Sequence, residues 1–193
     1  MTNKRPIDRR VQRTRRALSE ALHGLMAEKV WDEISVQDIC QRADIGRSTF
    51  YMHFSSKEKL LVSGFEELRR ELRMRQAGAG HCGTGRLPFA HGLIEHAYES
   101  QRVFRGAIGK RSGYVVQKRF REMVAGMVKE DLASLALTGW RLDAAVHFVT
   151  GAFVELLTWW IDGRRPQQPA DIEVLFDELS RPAIEQLRAM SAR

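Results

Sequence analysis

Along almost the whole of this chain, apolar residues return every three or four positions, and that periodicity is the one an α-helix buries along a single face. Within residues 11–29 they fall at Ala17, Leu18, Ala21, Leu22, Leu25 and Met26, forming one stripe. Val30, Trp31 and Ile34 follow as an apolar connector. Another pattern carries Leu60, Leu61, Phe65, Leu68 and Leu72, and others run over 114–137, 141–161 and 169–190. A kinked apolar region occupies 88–108. No alternating pattern occurs, and only the short window 114–116 favours a strand. The expected fold class is all-α, with an N-terminal helix-turn-helix unit over 1–57 and a larger helical unit over 58–193. Two breaks interrupt the pattern: residues 76–86 hold four glycines in eleven positions and read as a loop, and RRPQQP precedes Pro169, which is placed to open a last helix.

Composition narrows the functional classes. The 193 residues are 44% hydrophobic and 28% charged, enough for a sizeable core. No stretch approaches the roughly 18 consecutive apolar residues of a membrane span, and no apolar segment follows the basic N-terminus as a secretory signal requires. Cys40 and Cys82 are too few for a disulfide framework, and no Cys/His set has zinc spacing. His81 and Cys82 read as exposed and incidental. A reduced, cytoplasmic protein without metal, cofactor or membrane partner is expected. No nucleophile–base pair, paired carboxylates or phosphate loop suggests an enzyme. Net charge is +7, and seven cations stand against one acid up to Arg16, which points to a polyanionic partner.

The chemistry is concentrated in residues 35–57. Ser35 stands three residues before Asp38 and ahead of Val36, Ile39, Cys40 and Ala43 on one face, an acidic variant of the capping box opening a two-turn helix. Asp44-Ile45-Gly46 interrupts it, and a second short helix runs to His53 before Ser55-Ser56-Lys57-Glu58 caps a longer one. Two short helices joined by a tight turn form a helix-turn-helix, whose second helix enters the major groove. Val36, Ile39, Cys40, Ala43, Ile45, Phe50 and Phe54 have the spacing to pack the unit. Gln37, Arg47, Ser48, Thr49, Tyr51, Met52, His53 and Lys57 are then left facing outward. Arg47 suits a guanine edge and Gln37 an adenine edge, while Ser48, Thr49 and Met52 suit less selective contacts. Tyr51, His53 and Lys57 suit phosphates.

The run from Ser35 to Leu60, and above all Thr49-Phe-Tyr-Met-His-Phe-Ser-Ser-Lys-Glu58, resembles the DNA-binding domain of the TetR family of bacterial transcriptional regulators. The resemblance covers about residues 10–71. It departs from the family pattern at Asp44, where Gly is usual, at Cys40, where Ala is usual, and at Gly46, where Ser is common. It implies a homodimer of all-helical subunits that binds a double-stranded DNA operator and holds a small-molecule effector in its C-terminal unit. It also implies phosphate contacts for Thr49, Tyr51 and Lys57, and places Gln37, Arg47 and Ser48 near base edges.

The C-terminal half is less explicit. Leu156-Leu-Thr-Trp-Trp-Ile-Asp-Gly163 and the helix after it resemble a C-terminal region from one branch of the same family, which suggests a dimer interface at Phe153, Leu157, Trp160, Leu175, Leu179 and Ile184. Tyr98, Phe104, Phe120, Met123, Met127, His147 and Phe148 are effector-pocket candidates, being aromatic, sulfur-bearing or imidazole side chains at helical spacing. Both sets are also what a subunit uses to fill its own core. Lys118, Arg119 and Arg121 read as a solvated face. The function expected is a repressor released by an effector. The alternative is an activator or co-regulator acting through protein contacts.

Overall fold

The computed structural model describes residues 6–78, 87–108, 113–135, 137–163 and 167–191. Among these every regular element is helical and none is a strand. Helix α1 runs Pro6–Met26, followed by a 3-10 turn at Trp31–Glu33, α2 (Val36–Ala43), α3 (Arg47–His53) and α4 (Lys57–Gly78). Then come α5 (Pro88–Glu99), α6 (Gln101–Ile108), α7 (Tyr114–Asp131), a 3-10 turn at Leu132–Leu135, α8 (Gly139–Asp162) and α9 (Pro169–Ser191).

Local chemistry explains most boundaries. Pro6 opens α1 earlier than the apolar stripe suggests, because a missing N–H costs nothing in a first turn. Pro88 and Pro169 open α5 and α9 in the same way. The kinked region divides at Ser100, whose N–H donates to the His96 carbonyl and closes α5. The window 114–116 is helical, being the first turn of α7; its β-branched residues are overridden by packing, with Val116 fully buried. Helix α4 extends to Gly78, inside the glycine-rich stretch; His81 and Cys82 lie outside the described residues.

One continuous core runs through both halves of the chain, from Leu18, Leu22 and Phe50 to Phe89, Phe153 and Ile184. Phe89, Phe153 and Phe176 pack edge to face, with centroids 4.8–6.3 Å apart. The halves meet closely at Gly113, where a Cβ would lie 3.1 Å from Trp31 Cδ1, so the side-chain-free residue lets the start of α7 reach the buried indole. Among the described residues α8 is the helix whose length and mean hydropathy match a bilayer span, a property missed by counting uninterrupted apolar residues. About half of its most apolar stretch is buried inside the subunit.

Candidate nucleic-acid interface

The second short helix follows a first one capped, and a turn closed, by local hydrogen bonds. Ser35 Oγ accepts the Asp38 N–H at 3.1 Å while the Ser35 N–H donates to Asp38 Oδ2 at 2.8 Å, the reciprocal pair of a capping box. The Ser35 hydroxyl, 2.6 Å from the same oxygen, and the Ser35 amide together hold the Asp38 carboxyl down at about 2. Asp44 ends α2 in the left-handed conformation, φ 53°, and the Ile45 N–H donates to the Cys40 carbonyl at 3.0 Å. Gly46 has an ordinary φ of −65° and precedes α3 without a side-chain cap. The left-handed position is therefore Asp44 alone, and the neighbouring glycine supplies no special backbone.

The residues expected to pack this unit do so. Ile39, Cys40, Phe50 and Phe54 are buried, and Val36, Ala43 and Ile45 lie against them. Burial pushes the Cys40 thiol above its ordinary pKa, against an opposing effect from nearby Arg47, so it stays a neutral packing group. Phe50 has its ring 5.3 Å from Tyr51 and 6.1 Å from Phe54, fixing the roll of α3. That roll turns Arg47, Ser48, Tyr51 and Met52 to solvent, with Met52 75% exposed. Gln37 is exposed on α2, and Thr49 and His53 are half-buried at the edges of the presented face. Arg9, Arg10, Arg13 and Arg16 add exposed cations along α1.

Lys57 is placed differently from a free phosphate clamp. Its Nζ donates to the carbonyls of Trp31 (2.9 Å) and Ile34 (2.8 Å) and lies 4.6 Å from the centroid of the Trp31 ring. Two of its three N–H groups thus tie the start of α4 to the connector after α1. Arg15 reinforces the same junction, its guanidinium 4.7 Å from the Phe54 ring centroid and donating to Ser63 Oγ at 2.9 Å.

A cavity of about 520 Å³ opens between α1, α4, α6 and the ring of Phe120 on α7. Of the seven pocket candidates it includes Phe104 and Phe120, which pack edge to face at 5.8 Å. Met123 and Met127 are buried core beyond its lining. Tyr98 stacks on Trp160 at 5.8 Å, and His147 and Phe148 face outward on α8, so the structure does not bring these three to the cavity. Its polar lining comes instead from residues not assigned to a pocket in the sequence: Arg16, Glu20 and His23 of α1, Glu67, Arg70 and Glu71 of α4, and His96 of α5, among others. Their signal was present as two polar stripes at helical spacing, Arg16-Glu20-His23 and Gly64-Glu67-Glu71, each indistinguishable from a solvated face until the helices are docked. Among the described residues no group of three or more His, Cys, Asp or Glu side chains is arranged to hold a metal ion.

The interface candidates divide. Phe153, Leu157, Trp160 and Ile184 are buried in the subunit's own core, whereas Leu175 and Leu179 are exposed, Leu179 by 67%. Val174 on α9 and Trp140, Phe148 and Trp159 on α8 are exposed as well.

Two family models match the chain: residues 18–63 fit "Bacterial regulatory proteins, tetR family", and residues 87–181 fit "Transcriptional regulator C-terminal region". A Bacillus subtilis HTH-type transcriptional regulator is 48% identical over 56 residues, 28% of this chain and 15% of that protein. One from Haemophilus influenzae is 31% identical over 130 residues, 65% of this chain and 62% of its own. The chain thus spans less than two thirds of either relative. The solved structure of a TetR transcriptional regulator from Streptococcus agalactiae superposes with a TM-score of 0.66 at 27% identity, covering 90% of this chain and 97% of that one. With the helix-turn-helix formed and its outward face intact, the chain belongs to the TetR family of bacterial transcriptional regulators.

Proposed function

We propose that this protein is a homodimeric, cytoplasmic repressor that binds a DNA operator in a sequence-specific manner and releases it when a small molecule occupies the regulatory unit. The observation that carries this reading is the outward face of α3, with Arg47, Ser48, Tyr51 and Met52 exposed above a buried Phe50. In this reading residues 1–57 bind DNA and 58–193 dimerise and sense the effector. Arg47 and Gln37 read base edges, with Ser48 beside them; Thr49, Tyr51 and His53 position the protein on phosphates. Lys57 serves DNA mainly by setting where α3 stands, its remaining N–H directed to a phosphate.

A second copy supplies what covers the apolar surface of α8 and α9. In a two-fold dimer the two recognition helices must stand about 34 Å apart to reach successive major grooves. Exposed Leu175, Leu179 and Phe148 lie at that interface, and the buried Phe153, Leu157, Trp160 and Ile184 support it from behind.

The test is fluorescence anisotropy with the DNA upstream of the protein's own gene against a scrambled duplex at two salt concentrations. Selective binding that survives moderate salt is the expected result. Equal, salt-labile binding to both duplexes counts against a site-specific regulator acting on its own promoter.

A further inference from the structure

The cavity has one wall in the DNA-binding unit and the others in the regulatory body, and its lining combines aromatic rings with titratable side chains. Phe120 packs against Phe65 and Phe104, with centroids 5.9 and 5.8 Å apart. Beside them are two imidazoles near carboxylates, the His96 ring packing edge to face on Phe104 at 5.6 Å. His23 faces Glu67 and Glu20; His96 faces Glu71 and Glu99, opposed by Arg75 and, once protonated, by His23.

The cations nearby are largely committed. Arg16 pairs with Glu20 at 3.0 Å and Arg75 with Glu71 at 2.7 Å. Glu67 has no ion-pair partner among the described residues; it and Arg70, the other cation of the lining, are both exposed. Burial outweighs the carboxylates and holds both imidazoles below their ordinary pKa, so each is neutral near pH 7 and keeps one ring nitrogen as an acceptor. The lining therefore offers acceptors and the Glu67 carboxylate beside aromatic faces.

We propose that this junction cavity binds a small organic cation, an aromatic or other apolar body bearing an ammonium or amidinium group. The body rests on Phe104 and Phe120, and the N–H donors meet the Glu67 carboxylate and the imidazole nitrogens. The volume suits a drug-sized molecule. A carboxylate ligand of the same shape would meet the unpaired Glu67 carboxylate and bind more weakly. Because His23 belongs to α1 and Glu67 to α4, a ligand bridging them acts on the seam that sets the DNA-binding unit against the body. The inference rests on the ligand-responsive reading above and gives that reading a ligand class.

The test uses three probes with one shared body: 2-naphthylmethylammonium, 2-naphthylacetate and 2-naphthylmethanol, titrated calorimetrically into the full-length protein. The ammonium is expected to bind at least about tenfold tighter than the other two, the worth of a charge-assisted hydrogen bond. Glu67→Gln should remove most of that preference and leave the alcohol's affinity unchanged. Gly64→Leu should weaken all three, since a Cβ at Gly64 points at His23 Nε2 from 3.5 Å. If that variant folds poorly, the exposed Glu67→Gln still decides. Lowering pH from about 7.5 to about 5.5 should weaken the ammonium alone, because protonated imidazoles compete with it.

Acid or alcohol binding as tightly as the ammonium overturns the proposal, as does an ammonium that fails to bind at millimolar concentration or is indifferent to both variants. An ammonium that binds as expected but leaves operator affinity unchanged keeps the cation site and overturns the ligand-responsive function. Release of the operator by the acid and not by the ammonium does the reverse.

Discussion

Arg73 of α4 and Asp131 at the end of α7 meet at 2.5 Å although they lie 58 residues apart in the chain. The second Asp131 oxygen accepts the Phe89 N–H at 3.0 Å, one of the first-turn amides of α5 that have no helical partner. Arg73 also donates to the Met127 carbonyl at 2.7 Å and pairs with Glu130 at 2.9 Å. Three helices are thus pinned at one point. Desolvation raises the Asp131 pKa, showing what burial costs, while the Phe89 amide and Arg73 pull it back. Asp131→Ala strands both partners and should cost about 2–3 kcal/mol, at or below the lower end for a broken buried pair because Arg73 keeps Glu130. Urea unfolding measures this; an unchanged midpoint would refute the three-helix pin.

Lys57 and Arg47 should separate cleanly in a stability assay. Lys57→Ala removes two hydrogen bonds from a charged donor and should lower the stability of the DNA-free protein by roughly 2 kcal/mol, as well as weakening all DNA. Arg47→Ala, at an exposed position, should leave thermal unfolding within about 0.5 kcal/mol of the parent. It should instead cost about 1–3 kcal/mol of operator preference per half-site. Equal melting temperatures for the two variants would show that the Lys57 contacts contribute nothing to folding.

His23 and His96 make the fold sensitive to mild acid. Both have folded pKa values below 6.5, driven chiefly by burial. The unfolded chain therefore takes up more protons than the native protein as pH falls. Their contribution is fully present above about pH 6.5 and is lost progressively below it. Melting temperature should decline from about pH 7 to about pH 5, and His23→Gln/His96→Gln should flatten that decline. A parallel curve for the double variant would place the acid sensitivity elsewhere.

Charging the uncovered face of α8 and α9 should yield monomers that fold. Leu179→Glu and Phe148→Asp alter side chains 67% and 59% exposed in the subunit, so the subunit's melting should change little. A dimer built on that surface should dissociate at micromolar concentration in light scattering. Parent and variant with equal mass would exclude the face from the assembly.

The helix-turn-helix was legible before any coordinates because its determinants are local: a capping box at Ser35 and Asp38, a turn at Asp44, and a buried Phe50 whose position dictates what α3 presents. Lys57 was legible as a cation but not as a hydrogen-bond donor to Trp31 and Ile34, since carbonyls more than twenty residues away leave no trace in spacing. The cavity was hidden for a related reason. His23 and Glu67 sit on polar stripes of two different helices, and only docking turns two apparently solvated faces into one lining. Phe153 and Leu179 show the remaining ambiguity: both are apolar residues on the last two helices, yet one is 1% and the other 67% exposed. Apolar periodicity marks burial without naming which partner provides it.

Helix α4 is one uninterrupted rod from Lys57 to Gly78, about 33 Å at 1.5 Å per residue. Its far end is bolted to α7 through Arg69 and Arg73, and its near end grips the carbonyls behind α3. Arg69 and Lys57 are separated by about 18 Å along the axis, so a tilt of roughly 5° about the bolt carries Lys57 through about 1.6 Å. In the two-fold assembly proposed above both rods would swing, and the changes would add across the symmetry axis. Under the function proposed above, such a lever would turn a displacement smaller than one methyl group at each cavity into a shift of about 3 Å in the spacing of two helices that DNA requires at one fixed pitch.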